Sequence, residues 1–119
     1  MQTASSRENA DGYLLTTARV RHFRHLYPST EEDGQNAYAS PLWARDLRHV
    51  PPALVITAEF YPLRDEGEAY GALLKEAGVP VEIKRYNGMI HGFFSLGQVM
   101  AQGKHAIVDA AVTLRAALA

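Results

Sequence analysis

The side chains best able to do chemistry are one histidine pair and a lone histidine beside a glycine. His22 and His25 stand three residues apart in "VRHFRHLYP" and could share a metal on one helix face. No carboxylate stands at a zinc-helix spacing such as His-Glu-x-x-His, so a solvated helix face is the preferred reading and no metal site is expected. His49 and His105 have no partner pattern. His91 is different. It lies in "NGMIHGFF", next to glycines and within an apolar surround. An imidazole in such a loop suits general acid–base work, although a histidine that merely hydrogen-bonds the backbone fits as well. Tyr61, in "AEFYPLRDEGE", ends an apolar run where a carboxylate would suit a catalytic histidine. Asp65 follows four residues later. Serines stand at positions 5, 6, 29, 40 and 95, none within Gly-x-Ser-x-Gly. There is no cysteine, which excludes disulfides, thiolate catalysis and cysteine-bound zinc. No cofactor is expected.

The elements that must hold these residues are legible from pattern. "ALVITAEF" is a continuous apolar, β-branched run, expected to be a strand buried on both faces as in a parallel sheet. A helix is expected to follow, with Asp65 as N-cap and Glu68 three residues later as its capping-box partner. Ala69, Leu73 and Ala77 form its inward stripe, Gly78 its C′ residue, and Pro80 its stop. "VEIKRY" alternates and is expected as a second strand, with "NGMIHGFFSLG" a loop after it. Residues 104–118 form an amphipathic helix through Ile107, Ala110, Ala111, Leu114 and Leu118. Strand, helix, strand, helix implies a right-handed parallel unit, and sites on such sheets gather at the carboxyl ends of the strands. Upstream, residues 1–10 are expected to be loop. Residues 11–27 are expected to be helix, with Thr16, Val20, Phe23 and Tyr27 on one stripe and Leu15 and Leu26 at its edges. "PSTEEDGQNAYASP" reads as a surface loop. "SPLWARDLRHVPP" reads as short irregular or helical structure anchored by Trp43 and Leu47.

The chain has 119 residues, 47% hydrophobic and 21% charged, with a formal net charge of −1. That suits one modest core and provides no basic footprint for nucleic acid. The polar start is not a secretory signal, and no apolar run approaches a membrane span of about 18 residues. A cytoplasmic location is expected. Two strands with flanking helices leave open sheet edges, which favour a partner chain or self-association.

The segment "SPLWARDLRHVPPALVITAEFYPLRDEGEAYGALLKEAGVPVEIKRYNGMIHGFFSL" resembles the C-terminal part of the hormone-sensitive-lipase-like group of α/β-hydrolases, bacterial esterases and lipases acting on short and medium acyl esters. "DGYLLTTARVRHFRHLYP" is similar to the segment after that family's preceding strand. The resemblance implies an α/β fold: the C-terminal portion of a hydrolase sheet, about two parallel strands with three or four flanking helices. Residues 1–28 would be a helical segment, 29–52 a loop and short helix, and 53–119 the strand-helix-strand-helix unit. It implies carboxylic ester hydrolysis through an acyl-serine, with a small-molecule ester as substrate. His91 matches the family's catalytic histidine. Tyr61 stands where the family has its catalytic aspartate. Asp65 is a possible substitute acid, although helix capping explains it sufficiently. The family's Gly-Asp-Ser-Ala-Gly nucleophile and His-Gly-Gly oxyanion segment have no match in these residues. The expectation is therefore a detached C-terminal piece, inactive alone. The alternatives are a half-enzyme completed by a partner chain, and a non-catalytic module pairing through a sheet edge.

Overall fold

The computed structural model describes residues 3–119. Its centre is the expected unit: strand β1 (Ala53–Phe60), helix α4 (Arg64–Glu76) and strand β2 (Val81–Ile90), with β1 and β2 paired in parallel. Three short helices precede it, α1 (Ala4–Glu8), α2 (Thr17–Leu26) and α3 (Glu31–Gln35), together with a 3₁₀ turn at Pro41–Trp43. A second 3₁₀ turn (Phe93–Leu96) and helix α5 (Ala101–Leu118) follow. The α/β class and the pair of parallel strands stand as read from sequence. Among the described residues there are five α-helices, two of them only five residues long.

Alternation sorts the strands onto two faces. Val55 and Thr57 of β1 lie opposite Ile83 and Arg85 of β2 and look toward α4. There Gly71 allows the close approach: a Cβ on it would sit 2.7 Å from the Ile83 Cδ1. Ala58 and Tyr86 look the other way. With Phe93 and Ala106 of α5 they make the hydrophobic core, and Tyr86 meets Phe93 with ring centroids 5.2 Å apart. Asp109 of α5 accepts hydrogen bonds from the Lys84 ammonium and the Tyr86 hydroxyl, pinning α5 to β2. Gly103 lies against the turn before α5; a Cβ there would fall 2.3 Å from the Phe93 carbonyl oxygen.

Several local expectations are corrected. Residues 4–8 form α1 rather than loop, because the Thr3 side chain caps the helix by accepting from Ser6 N–H and Ser5 is buried against the central unit. Helix α2 starts at Thr17 instead of residue 11, with Thr16 as its cap, and none of its residues is buried. The loop after Pro28 contains α3, closed by a Thr30–Asp33 capping box. Trp43 is 58% exposed and anchors nothing buried. In α4 the buried residues are Gly71 and Leu74, not the stripe of Ala69, Leu73 and Ala77. The N-cap of α4 is Leu63, without a side-chain bond, and Glu68 bonds to Thr57 and Arg85 rather than back to a cap. The predicted loop at residues 87–90 is the end of β2. Helix α5 begins at Ala101 and buries Gly103 and Ala106, while Ile107, Leu114 and Leu118 remain exposed.

Candidate active site

Both candidate residues follow directly on strand ends. Tyr61 comes after Phe60 of β1, and His91 after Ile90 of β2. The two rings stack, with centroids 5.1 Å apart and planes at 21°. His91 is exposed and Tyr61 half-buried. Gly92 then takes φ 82°, a left-handed turn that glycine adopts without strain and that leads the chain into the 3₁₀ turn. The buried Phe93 anchors that turn.

The strand register brings these residues together. Ala58 pairs with Tyr86, and the next pair is Phe60 with Ile90. Between these pairs β1 advances two residues and β2 four. In unbroken register Met89 would stand beside Tyr61. The two extra residues form a bulge, rare in parallel pairs, that moves His91 into that place.

The phenol of Tyr61 is pushed above its ordinary value by burial and by the Glu66 carboxylate, so it stays protonated at neutral pH. It can hydrogen-bond but brings no charge. Asp65 is turned elsewhere. Its Oδ2 accepts from the Ser5 backbone N–H at 2.7 Å, and its Oδ1 from Arg64 Nε at 3.0 Å. Burial opposes its ionisation, but these donors outweigh burial and hold the carboxyl below its usual range. Both of its oxygens are therefore engaged on the α1 side.

That engagement exposes residues the sequence reading passed over. Ser5 Oγ donates to the Pro62 carbonyl at 2.9 Å and accepts from Asp65 N–H at 3.2 Å. Asn9 Nδ2 reaches the Glu59 and Tyr61 carbonyls at 3.4 and 3.5 Å, and Arg64 Nη1 the Glu59 carbonyl at 3.0 Å. Helix α1 thus clamps the loop that carries Tyr61. Nothing local in "ASSREN" signals this, since the partners lie 50–60 residues away. Leu14, the one described non-glycine residue at positive φ (43°), comes within 3.7 Å of where a Gly92 Cβ would stand.

Tyr61 also separates two hollows. One of about 460 Å³ lies between β1, the Gly92–Phe93 turn and α5, lined by Leu54, Ile56 and Leu114 among others. The other, about 440 Å³, lies between α2, Trp43 and the start of α4. The described serines form no nucleophile elbow. Ser5 is buried in the clamp, Ser40 bonds the Gly34 carbonyl, and Ser95 lies in the 3₁₀ turn after His91. His22 and His25 lie on the exposed α2, and no group of three or more His, Cys, Asp or Glu among the described residues could hold a metal ion. No helix among them is long and apolar enough to cross a membrane.

Known proteins share this arrangement of strands. The profile of a family described as alpha/beta hydrolase fold matches residues 1–95. An arylesterase of Saccharolobus solfataricus is 50% identical over 83 residues, 69% of this chain and 27% of that protein. The carboxylic ester hydrolase LipN of Mycobacterium tuberculosis is 37% identical over 113 residues, 92% of this chain and 30% of that protein. Among solved structures, a thermophilic carboxylesterase cloned from a metagenomic library superimposes with a TM-score of 0.95 at 38% identity, covering 100% of this chain and 41% of its own. A hyperthermophilic esterase from the archaeon Pyrobaculum calidifontis gives 0.90 at 42% identity, with 96% and 38% covered. The chain spans about a third of the length of the curated relatives it matches. With its parallel strand pair and these matches, the chain belongs to the alpha/beta hydrolase fold family.

Proposed function

We propose that these 119 residues are the histidine-bearing part of a carboxylic ester hydrolase of the hormone-sensitive-lipase-like group, and that alone they do not turn over esters. His91 is the family's general acid–base residue and Tyr61 occupies the acid position. The observation that carries this reading is the Tyr61–His91 stack at two adjacent strand ends. In a working triad a carboxylate orients the imidazole and stabilises the imidazolium. Neutralising it costs about 10⁴ in turnover in trypsin-like proteases, or roughly 5 kcal/mol of barrier. A protonated phenol lying face to face with the ring supplies neither charge nor an in-plane acceptor. Asp65 does not replace it, because both its oxygens are held by Ser5 and Arg64. With no nucleophile elbow in the sequence, the remaining chemistry is slow general-base hydrolysis of activated esters.

Assaying the chain on a short-chain nitrophenyl ester beside His91→Ala tests this. Both are expected to match the buffer rate. A wild-type rate well above that of the variant would overturn the reading.

The open edge of β1 favours a second reading. The sheet has two strands among the described residues, and the hollow beside β1 is apolar. A chain carrying the serine part of the fold would complete it there, with His91 supplied from this chain. Mixing the chain, and its Tyr61→Asp version, with the serine-bearing portion of a related esterase should then yield hydrolysis, greater for Tyr61→Asp. No complex at near-equal stoichiometry would exclude it.

A further inference from the structure

We propose that Glu59 is a positioning residue: its carboxylate holds the β2 bulge at Asn87 and Gly88, and the bulge places His91 against Tyr61. This deepens the reading above, since it takes His91 as the chemistry-bearing side chain.

Three observations carry it. First, the ladder passes from Ala58–Tyr86 to Phe60–Ile90, so β2 holds two more residues than β1 over that interval. Without them His91 would lie beyond the end of β1 and Met89 would stand beside Tyr61. Second, the extra residues include Gly88 at φ 76°, with nothing within 4 Å of where its Cβ would be. Packing does not require glycine there; the backbone conformation does. Third, the Gly88 N–H left over by the broken ladder is not unsatisfied. It donates to Glu59 Oε2 at 2.6 Å, from the β1 residue that lies between the two pairs. A charge-assisted bond of this kind is stronger than a neutral one. The Glu59 backbone is itself fixed, because its carbonyl accepts from Arg64 and Asn9. One residue therefore couples the α1 clamp on the Tyr61 loop to the bulge that presents His91.

The test is a proton–carbon NMR spectrum of the histidine rings in the whole chain, with His91→Ala for assignment. Stacking on Tyr61 displaces the His91 ring signals upfield, and Tyr61→Leu marks the unstacked position. Glu59→Ala is expected to move the signals to that unstacked position. Glu59→Gln, whose amide oxygen can still accept from Gly88 N–H, is expected to leave them near the wild-type position. Amide-exchange protection over residues 53–58 should be unchanged in both. A variant lacking residues 87–88 keeps the two-residue parity of β2 and should lose the displacement as well. The proposal is overturned if Glu59→Ala retains the displacement, if it strips protection from the whole ladder, if Glu59→Gln behaves like Glu59→Ala, or if the wild-type signals already coincide with those of Tyr61→Leu. No ester is involved, so failure here is distinct from failure of the hydrolase reading, which the nitrophenyl assay decides.

Discussion

The β1–α4–β2 unit and the α2–α3 arm both carry large apolar side chains, yet only the first has an interior. In the unit, Leu74 is 2% exposed, and the glycines of α4 let the helix seat on Val55, Thr57 and Ile83. In the arm, Phe23 is 55% and Leu26 69% exposed, and no residue of α2 or α3 is buried. An amphipathic stripe stabilises a fold only when something lies opposite it. Here the chain supplies both sides of the sheet-to-α4 contact and only one side of the α2 contact.

Removing side chains from the unit should therefore have the largest effect. Leu74→Ala takes a filled side chain out of the α4–sheet contact and is expected to cost about 2–5 kcal/mol, read as a lower urea midpoint at unchanged slope. An effect below about 1 kcal/mol would mean that the unit is no better packed than the arm.

The clamp between α1 and the Tyr61 loop lies between these extremes. Asp65→Ala removes the acceptor for Ser5 N–H and Arg64 Nε and is expected to cost about 1–3 kcal/mol. The same group makes stability depend on pH. Asp65 is held below the ordinary carboxyl range by its donors despite burial. Glu68 is held low by the Arg85 hydrogen bond, with burial opposing and Thr57 assisting. A depressed folded-state value means that the unfolded chain binds more protons in mild acid. The contribution is whole above the ordinary carboxylate range near pH ~4 and is lost as pH falls through the lower folded values. Asp65→Asn with Glu68→Gln should flatten the acid limb of a stability–pH curve. An unchanged limb would place the acid sensitivity elsewhere.

What was legible in the sequence follows the same division. "ALVITAEF" was readable as a strand because its run is largely apolar and β-branched, but only Thr57 and Ala58 of it are buried here, so the expected burial on both faces is not met. The end of α4 was readable because Gly78 takes φ 83° where a C′ glycine should. That Tyr61 and His91 each follow a strand was readable from the runs before them. Asp65 was misread as a cap because its partner, Ser5, lies 60 residues away and overrides the local preference. The end of β2 was misread as loop because "NG" is a turn signal by itself. Only the pairing with β1 shows that the glycine opens a bulge and lets the strand resume. The stripe expected in α2 exists in the sequence, but its burial depends on a surface these residues do not supply.

The smallest effect is expected in the arm, and it tests the comparison most directly. Phe23→Ser should change the urea midpoint by no more than about 0.5 kcal/mol, since the ring gives up little burial in the chain on its own. Phe23, Leu26 and Tyr27 nevertheless form an exposed apolar group, of the kind that drives association. The same substitution should therefore lower concentration-dependent self-association in sedimentation while leaving stability unchanged. A loss above about 1 kcal/mol in the monomer would show that α2 packs against the unit in solution, and the contrast between the two regions would fail. Unchanged stability with less association would show that the arm's apolar residues are turned outward, away from the β1–α4–β2 unit.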